Sequence, residues 1–194
     1  MNGRNLEKDN VMRQILFATT LLLGAAGAAQ SAGFSLSSPS IKPGSTLTEA
    51  QVFKGFGCEG KNISPALKWS GAPKDTKSFA LTVYDPDAPT GSGWWHWVVY
   101  DIPAGAKGLV RGAGAAGGAL LPDGARMGNT DFGTPEYGGA APPPGHGPHR
   151  YIFTLYALKT EKLDVPAGCT AAYVGFNIHF AKIGEAKLTA KYER

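Results

Sequence analysis

Two short stretches of this 194-residue chain hold most of the side chains that could do chemistry. In the first, Asp85-Pro86-Asp87-Ala88-Pro89 is followed by Trp94-Trp95-His96-Trp97, which puts two carboxylates and an imidazole close together in the chain. In the second, Pro142-Pro143-Pro144-Gly145-His146-Gly147-Pro148-His149 runs straight into Arg150-Tyr151. Each proline fixes its own φ, so both stretches are stiff. Carboxylates and imidazoles beside rigid turns, with aromatic residues around them, fit a small polar pocket. Asp85, Asp87, His96 and His149 are also the right types for a zinc or iron site. Against a metal, no two of these histidines have the short spacing that one helix face requires. Singly, each residue has an ordinary reading as well. An Asp before Pro is a common turn residue, and a histidine between strand aromatics is more often a hydrogen-bonded core residue.

Other motif matches fall away on context. Gly55-Phe56-Gly57-Cys58-Glu59-Gly60 and Gly112-Ala113-Gly114-Ala115-Ala116-Gly117 fit the glycine pattern of nucleotide-binding loops. That pattern needs a helix directly after it, with the helix N-terminus facing the phosphates. Pro65 and Pro122 stop such helices, so these are turn glycines. No nucleophile-elbow or H-E-x-x-H signature is present.

The elements that must position the two stretches are mainly strands. Residues 78–84 alternate with period two, placing Phe79, Leu81 and Val83 on one face. Residues 95–100 and 150–158 are aromatic and β-branched throughout and read as central strands. Shorter candidates lie at 34–37, 66–69 and 186–192. One segment changes period: Tyr173, Phe176, Phe180 and Ile183 recur at i, i+3, i+7 and i+10, which predicts an amphipathic helix within 170–183. Between Arg111 and His149, 39 residues contain 11 Gly and 6 Pro. A loop of that length is uncommon unless it builds a site, and its prolines stiffen it. The fold class that follows is mostly β, an antiparallel two-sheet sandwich with one C-terminal helix and a long Gly/Pro-rich loop.

Hydrophobic residues make up 43% of the chain and charged ones 18%, enough for a sizeable core. The formal charge of +4 comes from scattered Lys and Arg, without the basic stripe that nucleic acid or an anionic membrane would need. Arg13 precedes an apolar run at 15–29 that ends in small residues, the pattern of a secretory signal peptide. The run is too short for a comfortable membrane span of about 20 residues, so stable membrane insertion is not expected. Residues 1–31 are therefore read as an N-terminal extension plus signal peptide and 32–194 as a single domain, periplasmic or secreted. Cys58 and Cys169 would meet an oxidising compartment. Even so, one sits in a glycine-rich loop and the other at the start of the helix, and they are expected to remain unbonded.

The Asp85–Pro89 block with Trp94-Trp95-His96-Trp97, and the Pro142–Tyr151 block, resemble the two signature regions of the phosphatidylethanolamine-binding (Raf-kinase-inhibitor-like) family. The stretch from Phe56 to Pro65 resembles its secreted bacterial branch. The resemblance implies a Greek-key sandwich and an anion pocket formed by Asp85, Ala88, Pro89, Trp94, His96, Gly139, Pro142, Pro143, His149 and Tyr151. His96 and Tyr151 would donate to the anion, and Asp85 would accept and orient. It implies no cofactor, a small anionic ligand such as a phosphate monoester or lipid headgroup, and a role in modulating a kinase or protease. Ala141 stands where relatives carry Gly or Cys, which removes the partner expected for Cys58. No segment after the helix matches the lid of eukaryotic relatives. A metal-dependent hydrolase and a purely interacting structural protein remain the alternatives.

Overall fold

The computed structural model describes residues 33–194; the expected leader, 1–31, lies outside the described residues. The elements in chain order are β1 (Ser35–Ser37), β2 (Lys54–Gly55), β3 (Cys58–Glu59), β4 (Leu67–Ser70), β5 (Ser78–Asp85), β6 (Trp94–Pro103), β7 (Gly108–Leu109), β8 (Arg126–Met127), β9 (His149–Leu158), α1 (Ala171–Ala181) and β10 (Lys182–Tyr192). They form three antiparallel sheets where two were expected. Five strands run in the order β10-β9-β5-β6-β8, three in the order β1-β4-β7, and β2 pairs with β3 as a separate ribbon. The aromatic and β-branched runs became the three central strands of the large sheet, buried along nearly their whole length.

Alternation along β5 divides the core. Phe79, Leu81 and Val83 join Leu36, Leu67, Trp69 and Leu109 of the small sheet in one cluster. Ala80 points the other way, into a second cluster with Val98, Tyr100 and the inner face of α1. A residue one step along a strand changes layer, so this register fixes which side chains can reach the site.

The helix forms where its period placed it, capped by Thr170, whose hydroxyl accepts from the Tyr173 N–H at 3.3 Å. Its inner face is not the expected one. Ala171, Val174, Ile178 and Ala181 are buried, whereas Tyr173, Phe176 and Phe180 are exposed and Ile183 lies past the helix in β10. Both sets have the same i, i+3, i+7, i+10 spacing, so periodicity could not choose between them. The smaller set lets the helix pack close to the sheet.

Cys58 and Cys169 are both free and buried. Cys58 lies in β3, while Cys169 packs beside Tyr100 in the second cluster.

Candidate functional site

The C-terminal end of β5 and the N-terminal ends of β6 and β9 lie side by side at one end of the large sheet. Asp85 continues the face of Leu81 and Val83, and His149 with Tyr151 continues that of Phe153 and Leu155. His96 reaches the same place through an irregularity. Val83 pairs with Trp97 but Tyr84 pairs with Trp95, leaving His96 as an extra residue in β6. A bulge of this kind redirects a side chain. Here it brings the imidazole edge-on to Tyr151, with ring centroids 5.1 Å apart.

His96 is buried, and its Nδ1 lies 2.8 Å from the Gly138 carbonyl and 3.1 Å from that of Gly139. Two carbonyl oxygens can only accept, so Nδ1 carries the hydrogen and Nε2 is left with a lone pair. Burial holds the His96 pKa below its ordinary value, outweighing the pull of the Gly138 carbonyl and the Asp85 charge. The resting imidazole is therefore neutral and presents an acceptor. It donates to an incoming anion only if binding protonates it.

Asp85 is also buried. One carboxylate oxygen accepts the Asp87 backbone N–H at 2.8 Å and the other accepts from His149 Nδ1 at 2.7 Å. The far nitrogen of His149 lies 2.8 Å from Nδ1 of His146, whose ring is exposed. A hydrogen-bonded chain thus leads from a buried carboxylate through a buried imidazole to a surface one. Asp87 takes no part in it. Its carboxylate holds the Arg150 guanidinium at 2.7 and 2.8 Å, and that hydrogen bonding lowers its pKa to about 2 against a smaller opposing effect of burial.

The cleft between these groups encloses about 190 Å³ and is walled by Phe56, Asp85, Ala88, Pro89, Thr90, Trp94, His96, Phe132, Ala141, Pro142, Pro143 and His149. Of the residues singled out in the sequence, Gly139 and Tyr151 stand behind this wall instead of in it. Gly139 holds His96 through its carbonyl, and a Cβ there would lie 2.3 Å from the Gln51 carbonyl oxygen, so only glycine fits. The Tyr151 hydroxyl is buried without a hydrogen-bond partner, as is Trp94 Nε1. Burial, reinforced by the Asp85 charge, raises the Tyr151 pKa and keeps the phenol neutral.

Several contributors were not visible beforehand. Phe132 packs against Phe53, Phe56, Trp94 and His96 and roofs one side. Asn62, with φ at +52°, accepts from the Gly139 N–H at 2.7 Å and donates to the Tyr137 carbonyl at 3.1 Å, clamping the long loop that anchors His96. At the rim, Arg194 donates to the Phe56 and Gly57 carbonyls at 2.8 and 2.9 Å and also to Pro142. After the helix the chain supplies an edge strand and this rim clamp. Asn62 offered no signal beyond its glycine-rich setting. His146 was in plain view within the proline run.

The family model described as phosphatidylethanolamine-binding protein matches residues 37–193. The chain belongs to the phosphatidylethanolamine-binding protein family. Among its relatives, YbcL of Escherichia coli is 52% identical over 178 residues, covering 92% of this chain and 97% of YbcL. YbhB of Escherichia coli is 50% identical over 157 residues, covering 81% and 98%. The crystal structure of Escherichia coli YbcL, described as a new member of the mammalian PEBP family, superposes with a TM-score of 0.82 at 53% identity, covering 84% of this chain and 99% of the other. A phosphatidylethanolamine-binding protein from Plasmodium vivax has the same fold, with a TM-score of 0.52 at 19% identity over 83% of this chain and 85% of the other.

Proposed function

We propose that this member of the phosphatidylethanolamine-binding protein family is a binding protein whose cleft takes a small anion, a phosphate monoester, carboxylate or lipid headgroup, without transforming it. The observation that carries this reading is the make-up of the cleft wall: apolar and aromatic except for Thr90, two imidazoles and the carboxylate that orients one of them. A volume near 190 Å³ is below the roughly 300–1,000 Å³ typical of drug-sized ligands and suits a headgroup. A kinase or protease presenting a phosphate or carboxylate would be held by the same imidazoles, which is how an inhibitor-like action would arise. The alternative, a metal-dependent hydrolase, draws on the same residues with less support. Among the described residues no three His, Cys, Asp or Glu side chains are grouped to hold an ion. Asp85 and His149 are bonded to each other, and Asp87 is turned to Arg150.

Calorimetry with inorganic phosphate and O-phosphoethanolamine at pH 6 tests the proposal. Five heavy atoms at no more than about 1.5 kcal/mol each cap phosphate affinity near micromolar. Saturable one-to-one binding, unchanged by EDTA, is expected for both. Binding that vanishes with EDTA, or no heat with either compound, would overturn it.

The same reading places the protein in the periplasm or outside the cell, on the strength of the apolar run at 15–29 after Arg13. Among the described residues no helix is long and apolar enough to cross a membrane. N-terminal sequencing of protein recovered from the periplasm or medium should begin between Gln30 and Gly33. Recovery of chains that keep Met1 or Met12 there would contradict export by cleavage.

A further inference from the structure

The tip of the β2–β3 ribbon is built against ordinary turn chemistry. Gly55 pairs with Cys58, so Phe56 and Gly57 make up the whole loop between the two strands. Both have positive φ, +52° and +76°. Two-residue loops of this kind favour Asn-Gly, Asp-Gly or Gly-Gly, because a bulky side chain with positive φ is strained. Packing offsets little of that strain, since Phe56 is 65% exposed. Arg194 pins the tip by donating to the Phe56 and Gly57 carbonyls at 2.8 and 2.9 Å. What the strained residue gains is its position. Its ring lines the cleft and runs nearly parallel to that of Phe132, at 17° with centroids 5.8 Å apart. Backbone strain held in this way concentrates at ligand clamps.

We propose that Phe56 and Phe132 form a subsite for a flat aromatic ring, so that the cleft takes a small aryl phosphate or aryl carboxylate. The inference rests on the anion-binding reading and narrows it. The kind of apolar surface in the wall decides between a ring and a fatty chain. Besides Phe56, Trp94 and Phe132, that surface comes from Pro89, Pro142, Pro143 and two alanines, with no Val, Leu, Ile or Met. A flexible chain is matched by adaptable side chains such as Met. A ring is matched by faces and edges that are already fixed. Phe132 meets Trp94 at 83°, centroids 5.4 Å apart, and aromatic rings add to such a pair by offset stacking or edge to face. His96 lies 5.4 Å from Phe132 between centroids, so an anion at the imidazole and a ring beside Phe132 can belong to one small molecule. Size agrees. A cavity of about 150 Å³ holds benzene. The cleft, at about 190 Å³, holds a ring whose outer part lies over the exposed face of Phe56.

Titration calorimetry with phenyl phosphate, cyclohexyl phosphate and inorganic phosphate at pH 7.5 tests this. The two esters have the same number of heavy atoms and, well above a phosphate pKa near 6, nearly the same charge. Phenyl phosphate should bind about five- to tenfold more tightly than cyclohexyl phosphate, within the range of an aromatic pair beyond its buried area. In Phe56→Leu, which keeps an apolar side chain without a ring, that preference should shrink to about twofold or less. Reading the ratio separates the ring subsite from any change in phosphate binding itself, and circular dichroism checks the fold of the variant. The wild-type ratio decides alone if the variant does not fold. Cyclohexyl phosphate bound as tightly as phenyl phosphate, with inorganic phosphate also bound, would overturn the ring subsite and leave the anion pocket standing. A phenyl preference undiminished in Phe56→Leu would overturn it as well. Binding of none of the three compounds would overturn both the subsite and the anion reading beneath it.

Discussion

Asp85→Ala is expected to lower the unfolding free energy by about 2–6 kcal/mol, since two buried donors lose their acceptor at about 1–3 kcal/mol each. The buried carboxylate satisfies two donors at once, the Asp87 backbone N–H and His149 Nδ1. Its loss leaves both enclosed, the second on an imidazole almost without solvent contact. Asp85→Asn should be milder, about 1–3 kcal/mol, the cost of an imperfectly replaced hydrogen bond. Its amide oxygen can keep the Asp87 N–H, but its NH2 then faces His149 Nδ1. The imidazole hydrogen must move to Nε2, where it points at His146 Nδ1. Urea unfolding of both variants at pH 7 reads the energies, and imidazole nitrogen shifts read the tautomer. In the Asn variant the local negative charge is gone, so anion affinity should vary less with pH. An Ala variant within 1 kcal/mol of wild type would mean that the carboxylate is not what organises this corner.

The difference between what the sequence disclosed and what it did not has physical causes. Strands announced themselves because aromatic and β-branched runs with period two have one comfortable backbone, and β5, β6 and β9 appear where residues 78–84, 95–100 and 150–158 placed them. The cleft wall was legible where prolines and charged types cluster, as at Asp85, Pro89, Pro142 and His149. Three features were not. The bulge that redirects His96 is a register irregularity set by how β5 and β6 pair, and no local residue pattern encodes it. Asn62 acts on a loop more than seventy residues downstream. The separate β2–β3 ribbon has two residues per strand, too few for any period to register. The buried face of the helix is not legible because the chain carries two apolar stripes of one spacing, and only packing against the sheet chooses the smaller.

The stability of the protein and its affinity for anions should depend on pH in opposite senses, through the same imidazole. In the folded protein the His96 pKa is lowered by burial, while in the unfolded chain it is near 6.5. Below that value the unfolded state takes up a proton that the folded state refuses, so the contribution of His96 is fully present above about pH 6.5 and is lost as pH falls. The slope cannot exceed about 1.4 kcal/mol per pH unit for one proton, or about 2 kcal/mol between pH 6.5 and 5. Asp87 does not confuse this window, because its folded pKa is about 2 and its stabilisation fades only in stronger acid. A bound anion reverses the preference at Nε2 by favouring the imidazolium, so affinity should rise as pH falls. Phosphate monoesters themselves titrate near pH 6, which makes sulfate, of constant charge, the cleaner probe. His96→Phe strands the Gly138 and Gly139 carbonyls and should cost about 1–3 kcal/mol at pH 7.5, with the gap to wild type narrowing toward pH 5. The same variant should bind sulfate about 1.5–3 kcal/mol more weakly at pH 5.5, the range for a lost hydrogen bond to a charged group, and with little remaining pH dependence. Urea unfolding without ligand and sulfate calorimetry, each from pH 5 to 8, measure the two slopes. Sulfate affinity that is flat with pH in the wild type, or equally steep in His96→Phe, would remove His96 as the proton acceptor.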